Sequence, residues 1–255
     1  MWHQSITYLK WLPKTFHLHG IHSPFVFKLQ QECLANKTHF KSYRLLEEYR
    51  NTLRASKTIL TIEDHGVGSR VFKSNKRKVN DLAKKAGASK ARTRLLFRLA
   101  RYFQPNQILE LGTSLGIGTQ ALALGYPQAK ITSIEGASEV AMFAQKQLQS
   151  LPNIRIINTT FDQFLKEIQH THYDLVYIDG HHEMQATLTY FNTLKAQSSD
   201  DTVFILDDIH WSKGMSAAWA LIKKLPEVTV TIDCFWFGLV FFRKEQVKQD
   251  FYLRL

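Results

Sequence analysis

Short apolar runs alternate with stretches of helical period over residues 107–255, the pattern of a mostly parallel sheet with helices on both faces. The predicted strands are Gln107–Leu111, Lys130–Glu135, Arg155–Asn158, Tyr173–Asp179, Thr202–Asp207, Val228–Asp233 and Phe237–Arg243. Only a few residues separate the last two, which predicts an antiparallel hairpin closing a seven-stranded sheet. The fold class is therefore α/β.

Residues 1–106 read differently. Trp2, Tyr8, Trp11, Leu12 and Phe16 form an aromatic face broken by Pro13. The phrase His19-Gly20-Ile21-His22-Ser23-Pro24 is a turn, because Gly20 permits unusual angles and Pro24 restricts Ser23. Phe25–Arg54 carries a helical pattern, Lys57–Asn80 is polar and basic and reads as a loop, and Asp81–Phe103 returns to helix. Two domains are thus expected: a mainly helical, basic N-terminal cap over 1–106, and an α/β domain over 107–255.

Charge sharpens that division. Residues 1–106 hold 21 Lys and Arg against 6 Asp and Glu, whereas 107–255 hold 12 against 16, so a net charge of +11 hides a basic first part and a mildly acidic second. A basic face attracts nucleic acid, anionic lipid or acidic substrates, or is simply a solvated helical surface. The longest apolar run, Phe235–Phe242, suits a buried strand and falls short of the roughly 18–20 residues of a membrane span. Met1–Leu12 is interrupted by His3, Gln4 and Lys10 and does not read as a signal peptide. With two cysteines, Cys33 and Cys234, joined by no motif, a reducing cytoplasm and two free thiols are expected.

The phrase Ile108-Leu109-Glu110-Leu111-Gly112-Thr113-Ser114-Leu115-Gly116-Ile117-Gly118-Thr119 is the most informative. An apolar strand ends in a carboxylate, and a Gly-rich turn leads into a helix; such a turn lets backbone N–H groups face a ligand. The spacing is G-x-x-x-G-x-G rather than G-x-G-x-x-G, which suits a pyrophosphate less well. Here the chain resembles the class I methyltransferases that use S-adenosylmethionine (SAM), whose first motif is matched by Glu110, Gly112 and Gly116. The resemblance implies a Rossmann-like sheet. Glu135, closing the second strand, matches the acidic residue that accepts hydrogen bonds from the ribose hydroxyls. Phe161 and Asp162 match the position beside the adenine. SAM contacts are expected at Glu110, Gly112, Thr113, Ser114, Gly116, Glu135, Gly136, Phe161, Asp162 and Asp179. A second phrase, Glu63-Asp64-His65-Gly66-Val67-Gly68-Ser69, has a similar look but no apolar helix after it, and reads as a decoy or as a lid.

Two further strands end in carboxylates, in Tyr177-Ile178-Asp179-Gly180-His181-His182 and Phe204-Ile205-Leu206-Asp207-Asp208-Ile209-His210. Carboxylates arriving on adjacent strand ends repel unless a cation or hydrogen bonds offset them, and hard oxygen ligands suit Mg²⁺, Mn²⁺ or Ca²⁺. The arrangement is similar to the metal-dependent O-methyltransferases of the catechol O-methyltransferase type and the macrolide-sugar branch. That resemblance implies Asp179, Asp207 and Asp208 as metal ligands. His181, His182 and His210 are candidate bases, His182 standing where catechol-type enzymes carry a Lys. A metal site on His17, His19 and His22 lacks a Cys or acidic partner. No N-P-P-Y-like tetrapeptide and no Cys follows the fourth strand, which disfavours methylation of base amines and covalent carbon-5 chemistry.

The expected activity is transfer of a methyl group from SAM to a hydroxyl of a small molecule, with divalent-metal assistance. Trp2, Trp11, Phe16 and Phe25 are expected either to wall the substrate pocket or to pack in the core. A homodimer is expected by analogy, without integral membrane association. Two other readings stay open: an RNA methyltransferase gripping phosphates with its basic region, and a non-catalytic SAM-binding or membrane-surface protein with an interfacial N-terminal helix.

Overall fold

In the computed structural model the described residues are 2–16, 20–62, 75–85, 88–168 and 171–255. The His17 and His19 candidates and the Gly66–Gly68 phrase lie outside them. In chain order the elements are α1 (Trp2–Trp11), α2 (Pro24–Leu29) running into a π-helical turn, α3 (Ser42–Ala55), β1 (Ile59–Thr61), β2 (Lys76–Lys78), α4 (Val79–Lys85), α5 (Lys90–Phe103), β3 (Gln107–Leu111), α6 (Ile117–Gly125), β4 (Lys130–Glu135), α7 (Ser138–Leu148), β5 (Ile154–Asn158) and α8 (Phe161–Glu167). There follow β6 (Leu175–Ile178), α9 (Met184–Lys195), β7 (Val203–Asp207), α10 (Lys213–Lys224), β8 (Val230–Asp233), β9 (Phe237–Phe241) and β10 (Gln249–Tyr252).

The chain divides into two compact units, residues 1–35 with 169–255, and residues 36–168. Neither cut falls at residue 106, where the composition changes, so that expected domain boundary is not a boundary of packing. The reason is visible in the core of the 36–168 unit. Tyr49 and Leu53 of α3, and Val79, Leu82 and Ala83 of α4, share one apolar cluster with Leu115, Ile117, Val140, Ala144 and Ile156. Residues 36–106, the larger part of the basic N-terminal stretch, are thereby built into the same body as the Gly-rich loop.

In that unit β3, β4 and β5 are parallel, with Leu111 opposite Ile134 and Glu135 opposite Asn158. Their carboxyl ends therefore share one edge. β1 and β2 form a separate antiparallel pair, Ile59 opposite Lys78, inside the stretch read as loop. The helix expected over Asp81–Phe103 is two helices, α5 being opened by Ser89, whose side chain accepts from the Arg92 N–H.

In the other unit β6 and β7 are parallel, β9 is antiparallel to both β7 and β8, and β10 lies parallel to β8. The antiparallel closure is as expected, and β10 is an addition. Its sequence, Gln-Asp-Phe-Tyr, buries only Phe251 and lacks the apolar run that marks the other strands. Trp219 of α10 packs closely at Gly238, where a Cβ would stand 2.7 Å from the indole. The chain thus has the α/β architecture expected, mostly parallel, with helices around the strands and an antiparallel C-terminal pair.

Candidate active site

In the 36–168 unit the Gly-rich loop is set by backbone geometry. Gly112 and Gly116 have φ of 109° and 74°, and Ser114 between them has φ of 48°. A Cβ on Gly116 would stand 2.6 Å from Leu148 Cδ1, so both the dihedral and the packing demand glycine there. The N–H groups of Gly112 and Thr113 donate to the Ile134 carbonyl at 3.0 and 3.2 Å, that of Gly116 to Thr113 at 2.8 Å, and that of Ser114 to Glu135 Oε2 at 2.8 Å. These four donors are spent within the protein rather than converging on a ligand, as a phosphate-cradling loop would arrange them.

Glu110 differs from its expected place. It is 1% exposed, and its Oε2 accepts from Thr119 and Ser133 hydroxyls at 2.5 and 2.6 Å. Thr113 Oγ1 and Ser133 Oγ are 2.6 Å apart. This buried cluster ties β3, β4 and the start of α6 together, so Glu110 braces the loop instead of facing a ligand. Glu135 is the reverse case. It is half-buried at the end of β4, and its carboxylate is oriented by two backbone donors, Ser114 N–H and Ala137 N–H at 3.0 Å. A carboxylate has about four lone-pair sites, and these two donors fix its plane. Gly136 follows in the turn, and Phe161 and the exposed Asp162 open α8 on the same edge.

Two further residues of this unit have no signal in the motif. Asn158 Nδ2 donates to the carbonyls of Glu135 and Gly136 at 2.8 and 3.1 Å, holding the acidic turn in place. Tyr49, from α3, donates its hydroxyl to the Leu115 carbonyl at 2.6 Å. Burial pushes the Tyr49 phenol well above its ordinary range, so it remains a donor at any physiological pH.

In the other unit three turns share the carboxyl edge of the strands: Asp179–His182 after β6, Asp207–His210 after β7, and Cys234–Trp236 between β8 and β9. His181, His182, Asp208 and Phe235 all have positive φ, at 62°, 31°, 51° and 67°. Side chains in the left-handed region are held there against a cost of about 1–3 kcal/mol each, and such strain gathers at functional sites. Each of the three turns carries at least one.

The histidines are not equivalent. His210 Nε2 is 2.8 Å from Asp233 Oδ2 and its Nδ1 is 3.2 Å from Ser216 Oγ; its side chain is 11% exposed. Asp233 also accepts from Trp219 Nε1 at 3.0 Å and the Phe235 N–H at 2.9 Å. With both nitrogens engaged, His210 fastens the β7 turn to β8 and α10, which corrects its reading as a base. His181 Nδ1 is 2.6 Å from the hydroxyl of buried Tyr190. His182 Nε2 faces Asp179 Oδ1 at 3.6 Å, both side chains 28% exposed, and Tyr177 donates its hydroxyl to Asp179 Oδ2 at 2.8 Å. The buried Tyr177, Asp179 and His182 thus form a line from the core to the surface.

The side chains do not fit a three-carboxylate cation site. Among the described residues no three His, Cys, Asp or Glu side chains are grouped so as to hold a metal ion. Both Asp179 oxygens face protein groups, and Asp207 Oδ1 accepts from the Asp208 N–H at 2.9 Å. Asp179, Asp207 and Asp208 as a ligand set therefore find no support in this arrangement.

The aromatic residues of the expected pocket wall divide. Trp11 is buried against Phe235, with Tyr8 stacked on Trp11, while Trp2 is 85% exposed. Phe16 and Phe25 pack on Phe251 and Phe241. Helix α1 also reaches the edge through His3, whose Nε2 is 3.1 Å from Ser216 Oγ.

Residues 109–209 match the family model described as "Methyltransferase domain". No curated protein matches the chain by sequence. Solved structures do. A Podospora anserina methyltransferase bound to S-adenosylhomocysteine (SAH) is similar over 88% of this chain and 97% of its own, with a TM-score of 0.62 and 14% identity. A Bacillus cereus O-methyltransferase in complex with SAH is similar over 80% and 92%, TM-score 0.52, 16% identity. The Streptomyces achromogenes O-methyltransferase of tomaymycin synthesis, in complex with SAM, is similar over 61% and 81%, TM-score 0.53, 20% identity. Among the described residues no helix is long and apolar enough to cross a membrane. Residues 109–209 thus match a methyltransferase-domain model, and the chain as a whole has the fold of these solved methyltransferases.

Proposed function

We propose that the chain is a SAM-dependent O-methyltransferase acting on a small-molecule hydroxyl. The observation that carries the reading is Glu135: a half-buried carboxylate at the end of β4, held in one plane by two backbone N–H groups beside a loop whose own N–H groups are not arranged for phosphate. That combination suits a nucleoside without a pyrophosphate. Glu135 accepts from the ribose hydroxyls, Phe161 and Asp162 border the adenine, and Gly112, Thr113, Ser114, Gly116 and Gly136 shape the backbone against the rest of the cofactor. Asp179, expected to touch the cofactor, has its two oxygens turned to Tyr177 and His182, and its role is reassigned to them.

Bound SAM supplies an electrophilic methyl group. The protein's part is positioning and proton removal. His182 takes the proton of the substrate hydroxyl. Its Nε2 is directed at Asp179, so Nδ1 is the accepting nitrogen, and Asp179 stabilises the imidazolium that forms. The Tyr177 hydrogen bond fixes Asp179 in turn. The chemistry assigned here uses the carboxylates as acceptors for protein donors. A cytoplasmic, homodimeric enzyme whose α1 borders the acceptor substrate completes the reading.

Calorimetric titration of SAH into the purified chain tests the cofactor half. Micromolar binding that is lost in Glu135→Ala, with the variant still folded by circular dichroism, is the expected result. Equal binding by wild type and variant overturns the assignment of Glu135.

A further inference from the structure

Helix α5 carries Lys90, Arg92, Arg94, Arg98 and Arg101 and no acidic residue. Positions 90, 94, 98 and 101 fall on one stripe of the helix, about 16 Å long at ~1.5 Å per residue. Lys90 is bonded to both oxygens of Glu47, at 2.8 and 2.9 Å, and the other three positions of the stripe are arginines. Two of the three guanidinium groups lie on aromatic rings, and the third is bonded to a ring hydroxyl. Arg94 lies over Tyr43 at 4.6 Å from the ring centroid, Arg101 over Phe40 at 5.0 Å, and Arg98 donates to the Tyr43 hydroxyl at 3.3 Å. Tyr43, Phe40 and Phe97 pack on one another beneath them. Lys37 and Lys41, both exposed, stand in the segment leading into α3, next to this aromatic cluster. All of these residues belong to the 36–168 unit.

A guanidinium stacked on a ring loses little freedom when it binds, offers planar pairs of N–H donors to phosphate oxygens, and leaves its other face able to stack on a base. A surface serving only as a counter-charge needs no such clamping. We propose that this arginine stripe of α5 binds a single-stranded polynucleotide through its phosphodiester backbone and its base faces. This surface is separate from the assignment of Glu135, and its binding does not depend on it.

The test is fluorescence anisotropy of a labelled, mixed-sequence 15-nucleotide single-stranded RNA with the full chain, over KCl from about 50 to 300 mM. Each phosphate contact on a single strand contributes roughly −0.7 to the slope of log K against log salt. Wild type is expected to bind at the lowest salt. The Arg94→Gln, Arg98→Gln, Arg101→Gln triple variant is expected to lose at least about tenfold in affinity and roughly 2 units of slope, with its SAH titration unchanged. If the triple variant does not fold, Arg101→Gln alone is expected to remove roughly 0.7 unit. The corresponding Arg→Lys triple variant is expected to keep the slope and lose part of the affinity, since it keeps charge without stacking. No binding by wild type at the lowest salt, or a slope unchanged in the Gln variants, overturns the proposal. So does binding to phosphatidylserine vesicles without binding to RNA.

Discussion

The Tyr49 hydroxyl donates to the Leu115 carbonyl at 2.6 Å, spanning 66 positions of sequence to reach the middle of the Gly-rich loop. The pair is buried, so its loss would strand a carbonyl with no solvent to replace the donor. Tyr49→Phe keeps the ring and removes only that bond. It is expected to lower unfolding free energy by about 1–3 kcal/mol and to weaken SAH binding several-fold, by denaturant melts and calorimetry. Unchanged SAH affinity would mean that the loop holds its shape without the brace.

Two glycines are expected to respond with opposite signs. Gly116 has φ of 74° and a Leu148 methyl where a Cβ would go; Gly116→Ala is expected to destabilise by about 1–3 kcal/mol. Gly214 sits in the first turn of α10, and the nearest atom to an added Cβ is Met184 Cβ at 3.5 Å, ordinary contact. Gly214→Ala is expected to stabilise by about 0.4–1 kcal/mol through the unfolded chain. Paired thermal melts decide both.

His182→Ala is expected to lower kcat by roughly 10²–10⁴ while leaving SAH affinity intact. Asp179→Asn and Tyr177→Phe act through His182 and are expected to lower kcat by less. Methyl transfer is expected to continue in EDTA. Activity abolished by EDTA and restored by Mg²⁺ would return Asp179, Asp207 and Asp208 to the role of ligands and overturn the pairing of Asp179 with His182.

His210→Ala is expected to act on stability more than on chemistry. It removes one of three donors from Asp233, which is 2% exposed. A loss of about 1–3 kcal/mol is expected, read as a fall in melting temperature with kcat less affected than in His182→Ala.

Cys234 is buried, and burial, with Asp233 and Cys33 nearby, pushes its thiol well above the ordinary range. Cys33 is buried as well. Since the thiolate is the reactive form, neither should react with Ellman's reagent in the folded chain at pH 8. Both should do so in guanidinium. Rapid reaction of a thiol in the native state would contradict the burial.

Much of the architecture was legible because its strands are apolar runs and its site residues follow them directly. Gln107–Leu111 and Lys130–Glu135 coincide with their predicted limits, and the loop between them carries its own punctuation. What escaped the sequence depends on distance or direction. Tyr49 and Asn158 act through side-chain bonds to backbone far along the chain or across a strand pair. Glu110 matches a motif, yet only its partners Thr119 and Ser133 reveal that it faces inward. His182 and His210 are indistinguishable as letters, and are separated by what occupies their ring nitrogens. The composition break near 106 is real as chemistry. It fails as a boundary because α3 and α4 share a core with the loop.

The consecutive left-handed residues His181 and His182 have a consequence for selection. At both positions glycine would relieve the backbone, so a screen for thermal tolerance alone should accumulate glycine there and, at position 182, lose turnover. A screen for product should keep the His182 imidazole and collect compensating substitutions elsewhere. Heat resistance and methyl transfer would then pull the codon for His182 in opposite directions.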